Sequence, residues 1–130
     1  MTAVFRFNTA KFDVSLEPEN PINPIPGASL LEWLQQKAKG AVEVSVPAPE
    51  DWGWYSYVLW KERRYLLGAS ASEAERGEHE WVLQVVKQRS FVERLFGRAA
   101  MSHDDECAAY FRGLLDGEAA FKELAAEAER

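Results

Sequence analysis

The chain has 130 residues, of which 47% are hydrophobic and 28% charged, with a formal net charge of −6. That length and composition fit a single domain over residues 1–130 that buries its own core, and they exclude a disordered chain. A lone cysteine, Cys107, excludes an intramolecular disulfide framework, and the acidic balance opposes nonspecific binding to nucleic acid or anionic membrane. No apolar run approaches the ~20 residues of a bilayer span, and Met1 to Arg6 lacks the signal-peptide pattern. The expectation is a soluble, cytoplasmic protein of bacterial type with no membrane partner.

In chain order, Phe5 and Phe7 share one strand face and Phe12, Val14 and Leu16 another, with Asn8 to Ala10 between them as either a hairpin turn or a bulge in one long strand. Pro18, Pro21, Pro24 and Pro26 make the next stretch a stiff connector, because proline fixes φ and lacks a ladder N–H. Ser29 and Glu32 predict a capping box for a helix whose stripe is Leu30, Leu31, Trp33, Leu34 and Ala38. Val42, Val44 and Val46 alternate as a half-buried strand, and Pro47 to Gly53 reads as a rigid turn. Strands follow over Trp54–Trp60, Tyr65–Ser70 and Trp81–Val86, the last with the two-sided apolar pattern of a central position. Ser72 to Glu80 reads as a polar, acidic loop.

After Ser90 the apolar period changes from two to 3.6. Ser90 and Glu93 predict a capping box, with Phe91, Val92, Leu95 and Phe96 on one face. Ser102 opens a helix striped by Cys107, Tyr110, Phe111, Leu114 and Leu115, and Asp116 caps a final helix striped by Phe121, Leu124, Ala125 and Ala128. The order predicts an α+β fold: an antiparallel sheet of five to six strands, one helix after the N-terminal strands, and two to three C-terminal helices packed on the sheet.

The sequence offers little catalytic machinery. Its eight glycines are scattered, so no phosphate-cradling loop exists. The two histidines, His79 and His103, sit in no nucleophile-elbow motif. His103 and Cys107 are spaced to share a helix face, but two ligands do not close a metal site, and Cys107 opens an apolar stripe. No catalytic residue, metal or cofactor is expected.

The densest feature is aromatic: Trp52, Trp54, Tyr55, Tyr57 and Trp60 fall within nine residues. On a strand, Trp54, Val58 and Trp60 face one way and Tyr55, Tyr57 and Leu59 the other, so one set is core and the second is either covered by helices or left as a platform. Glu50, Asp51, Trp52, Tyr55 and Tyr57 form the candidate binding set, an aromatic patch with an acidic rim. Such a rim favours another protein, a basic one, and nucleic acid is disfavoured by the net charge. The alternative is a small-molecule binder or small enzyme that uses the same aromatics as pocket walls and Glu50 or Asp51 as its polar group.

The segment Pro49-Glu50-Asp51-Trp52-Gly53-Trp54, followed by Tyr65-Leu66-Leu67-Gly68-Ala69-Ser70, resembles a set of small uncharacterised bacterial proteins of similar length. The resemblance covers about the middle half of the chain and implies no activity, cofactor or catalytic residue. In size, acidity and aromatic surface the chain is also similar in style to bacterial immunity proteins and adaptor domains.

Overall fold

The computed structural model describes residues 2–73 and 76–129, so Ala74 and Glu75 of the predicted acidic loop lie outside the described residues. Six strands form one antiparallel sheet: β1 (Thr2–Thr9), β2 (Ala48–Glu50), β3 (Gly53–Trp60), β4 (Arg63–Ala71), β5 (His79–Lys87) and β6 (Lys122–Glu129). Their spatial order is β2-β3-β4-β5-β1-β6, which places β5 centrally, as its apolar pattern predicts. Helices α1 (Ala28–Ala38) and α3 (Glu106–Asp116) share one core with the inner face of the sheet, and α2 (Phe91–Leu95) is a single short turn. No helix among the described residues is long and apolar enough to cross a membrane.

Phe5, Phe7, Trp54, Val58, Leu67, Trp81, Leu83 and Val85 point inward beneath Leu30, Leu31, Leu34, Phe111 and Leu115. Helix α1 starts differently from the Ser29–Glu32 prediction. Its N-cap is Gly27, which has no side chain to cap with. Glu17 takes over from the proline-rich connector: its carboxylate accepts the N–H groups of Gly27, Ala28 and Ser29 at 3.0–3.1 Å, and the Ser29 hydroxyl as well. A distant acid thus satisfies the orphan donors and complements the helix dipole. The connector also lies hard on the sheet, since a Cβ on Gly27 would sit 2.2 Å from the Ala69 carbonyl oxygen.

Three predicted elements are corrected. Phe12–Leu16 is not a strand; Val14–Leu16 forms a single 3-10 turn capped by Asp13, whose carboxylate accepts from the Ser15 N–H. Val42–Val46 makes only an isolated bridge, Val44 to Val58, and the paired strand in that region is Ala48–Glu50, inside the predicted turn.

The predicted final helix is instead β6. Phe121 buries itself against Phe7, ring centroids 4.4 Å apart, and Trp33, at 4.9 Å, and the chain then runs antiparallel along β1. Ala, Glu, Leu and Lys are good helix formers, but an isolated helix of this length is marginal in water. The open edge of β1 offers a ladder of partners from Thr2 to Arg6 that resumes at Asn8 after a register shift, reinforced by Arg6–Glu127 at 2.7 Å and Asn8 donating to Glu123 at 2.8 Å. Among the described residues the fold is therefore α+β with a six-stranded antiparallel sheet and three α-helices, and residues 122–129 add a strand rather than a helix.

Candidate interaction surface

The β2–β3 hairpin is clamped from beneath by the proline-rich connector. Buried Asn20 donates through Nδ2 to the carbonyls of Glu50 and Gly53 at 3.1 and 2.9 Å, while its Oδ1 accepts from the N–H groups of Ile22 and Asn23. Asn23 donates to the Asp51 carbonyl at 2.9 Å. The hairpin turns on Asp51 and Trp52, and Gly53 has φ +146° with a Cβ position 2.3 Å from the Ala69 carbonyl oxygen, so only glycine fits there. Glu50 serves this turn itself, accepting the Asp51 N–H at 2.8 Å. The two acidic residues are sequence neighbours at the hairpin tip.

Beyond the turn, β3 resolves the two alternatives for its aromatics. Trp54, Ser56 and Val58 are buried inward, and Trp60 packs half-buried on Tyr110, centroids 5.3 Å apart. Tyr55, Tyr57 and Leu59 face the side that no helix covers; Tyr57 is 39% exposed and Leu59 63%. Tyr55 and Tyr57 meet edge to face at 5.5 Å. Trp52 leaves the tip and lies across β4 at Gly68, where a Cβ would come within 2.7 Å of its Cη2. Gly68 is thus the seat of the indole, opposite Tyr55 in the ladder.

The register adds residues that the sequence pattern alone did not single out. Tyr57 stands beside Leu66, Leu66 beside Val86, and Leu59 beside Arg64. These make one apolar surface of Trp52, Tyr55, Tyr57, Leu59, Leu66 and Val86 across three strands. The signal was present as apolar residues on both sides of β4 and a glycine mid-strand, but only strand pairing places them side by side. The rim is mixed rather than purely acidic: the Arg64 guanidinium stacks 4.8 Å above the Tyr57 ring. Beside it lies a shallow depression of about 210 Å³ lined by Glu43, Ser45, Tyr57, Val58, Leu59 and Arg64.

On the other side of Trp52 is a larger cleft of about 520 Å³. Trp52, Pro24, Pro26 and Val82 supply apolar walls, and Glu73, His79 and Glu80 supply polar groups. His79 falls within the expected Ser72–Glu80 loop but begins β5, half-buried, with its ring 6.4 Å from that of Trp81.

The remaining chemistry is structural. Tyr65 donates to the buried Asp105 carboxylate at 2.6 Å, and Asp105 also accepts the Ala108 N–H, capping α3. Burial first, and then the Asp105 carboxylate, raise the Tyr65 hydroxyl above its ordinary range. The same two causes push the enclosed Cys107 thiol up to about 12, so at neutral pH it remains protonated. His103 lies before α3 begins and does not share a helix face with Cys107. Among the described residues no three His, Cys, Asp or Glu side chains gather as a metal-ligand set.

In comparison with known proteins, the chain matches no family model, no curated protein and no solved structure.

Proposed function

We propose that this protein is a non-catalytic interaction module, immunity- or adaptor-like, that binds another protein through the outer face of β3 and β4. One observation carries the reading: Tyr55, Tyr57 and Leu59, with Trp52 beside them, lie on a sheet face that the protein's own helices leave open. Tyrosine and tryptophan bury large area with little side-chain entropy, which is why they dominate interface energetics. Glu43, Glu50 and Asp51 around the patch favour a partner with basic groups at its rim. The depression beside Tyr57 is smaller than the roughly 300–1,000 Å³ of ordinary ligand pockets, and a broad, shallow surface suits a protein better than a metabolite.

The test is affinity capture from a lysate, followed by affinity measurement with the purified partner. The Tyr55→Ala, Tyr57→Ala double variant should bind at least about thirty-fold more weakly while keeping the same unfolding midpoint. Equal recovery by two folded proteins would remove the patch from consideration.

The small-molecule reading is favoured by one specific feature, the Trp52 cleft, whose volume falls in the range of ligand pockets. A thermal-shift screen of small molecules distinguishes it. A compound that stabilises the native chain, but not a Trp52→Ala variant, favours this second reading.

A further inference from the structure

We infer that the cleft between Trp52 and the Pro24–Pro26 segment receives the guanidinium group of an arginine on the protein partner, an inference that rests on the interaction reading above. The cleft combines apolar side chains with acidic ones. The indole of Trp52, seated on Gly68, lines it. So do Pro24 and Pro26, fixed to the sheet because the Ala71 N–H donates to the Pro26 carbonyl at 2.9 Å. Val82 adds apolar surface, and Glu73, Glu80 and His79 are its polar lining. The acidic part is braced by the Ser72 N–H donating to the Glu80 carbonyl at 2.9 Å.

A planar cation is the group this chemistry selects. Guanidinium stacks on an aromatic face, is weakly hydrated and presents a fork of donors to a carboxylate; an ammonium is a strongly hydrated point charge with no face to stack. The same sheet face already carries the pairing within the chain, since Arg64 lies over Tyr57. Glu80 faces Arg6 only at 3.9 Å, a loose ion pair, so Glu73 is the principal acceptor with Glu80 as its second. Next to the cleft, and sharing Glu73 and Glu80 with it, lies a broader basin that also holds Glu78 and Glu123. Arg76 lines the same basin, Lys122 meets Glu78 at 2.8 Å and Arg6 lies 3.9 Å from Glu80, and the residual acidity steers a cation toward the cleft.

The probe is a blocked Gly-Arg-Gly peptide, followed through the indole N–H resonance of Trp52 by NMR titration. Controls are the same peptide with citrulline, which keeps the shape but loses the charge, the same peptide with lysine, and methylguanidinium alone. The arginine peptide should shift the Trp52 indole and bind at least about ten-fold more tightly than either the citrulline or the lysine peptide. Gly68→Ala, which forces the indole off its seat, and Glu73→Gln should each weaken it, and Trp52→Leu should abolish it. An unshifted indole, equal binding of the citrulline peptide, or full binding by a folded Gly68→Ala variant would overturn the inference. Methylguanidinium binding as tightly as the peptide would make the ligand a free small molecule and overturn the assignment to a protein partner. Tyr55→Ala, Tyr57→Ala separates the two proposals. Arginine-peptide binding with unchanged partner capture removes the patch alone; lost capture without peptide binding removes the cleft alone.

Discussion

Helices α2 and α3 begin from the same sequence signals and end in opposite environments. Each has a side-chain N-cap, Ser90 for α2 and, in place of the expected Ser102, Asp105 for α3, an acid in the first turn, and apolar residues grouped on one arc. In α3 that arc is enclosed: Cys107, Phe111 and Leu115 are buried against the sheet and α1. In α2 the same kind of arc faces outward, with Phe91, Val92, Leu95 and Phe96 between 55% and 76% exposed. The reason lies on the polar side of α2. Glu93 pairs with Arg63 through two bonds of 2.7 and 2.8 Å, which tie the helix to β4 by its polar side; at 100° per residue Phe91 and Leu95 point away from Glu93, while Val92 lies on its flank and Phe96 is the C-cap. Periodicity fixes where the apolar arc lies around a helix axis. It does not say what stands opposite that arc.

The strongest test of this contrast is a matched truncation. Phe111→Ala should cost about 3–5 kcal/mol in urea unfolding, from lost transfer energy and the cavity left behind. Phe96→Ala should stay within about 0.5 kcal/mol of the native chain. Similar losses for the two would mean that the outward arc of α2 contributes to the core after all. A second comparison concerns the caps. Asp105→Ala removes the cap of α3 and strands the buried Tyr65 hydroxyl, for an expected loss of about 2–4 kcal/mol. Ser90→Ala should leave the global midpoint nearly unchanged and instead speed amide exchange within Phe91–Leu95.

Acid sharpens the contrast further. The Arg63 guanidinium first, and then the Ser90 N–H, hold the Glu93 carboxyl down to about 2. A carboxylate lowered in the folded state stabilises fully above its ordinary value near 4.3, and that contribution disappears as pH falls toward the folded value. The NMR signals of α2 should therefore shift between about pH 4.5 and pH 2, and Arg63→Gln should move that transition upward. A transition left in place by Arg63→Gln would remove this ion pair as the anchor of α2. The smallest effect is expected on the inner face of β3. There the Ser56 hydroxyl is buried with no hydrogen-bond partner among the described residues, so Ser56→Ala should be neutral or stabilising by up to about 1 kcal/mol.

The two faces of β3 repeat the lesson. Strict alternation from Trp54 to Trp60 was enough to sort its aromatics into two sets, and the sets are those found. Alternation was silent on which set lies under the helices. Leu66, Val86 and Gly68 joined the surface only through the ladder, because strand partners lie far apart in sequence and nothing local to Tyr57 specifies Leu66 as its neighbour. The Trp52 cleft was less legible still. It joins the connector, the hairpin tip and β5, which only the folded chain brings together.

By itself, the sequence determined whatever depends on a few neighbouring residues: the α+β class, the periods of α1, α3 and the strands from β3 to β5, the capping box of α2, and the clustering of rings around residue 55. Tertiary structure decided everything that depends on what stands opposite. Glu17 rather than Ser29 satisfies the start of α1, and α2 turns its apolar arc outward. The Ala- and Glu-rich C-terminus becomes a strand because β1 has an open edge to offer. Local preferences amount to at most about 1 kcal/mol per residue for an ordinary side chain, and a strand ladder or a buried aromatic outweighs them.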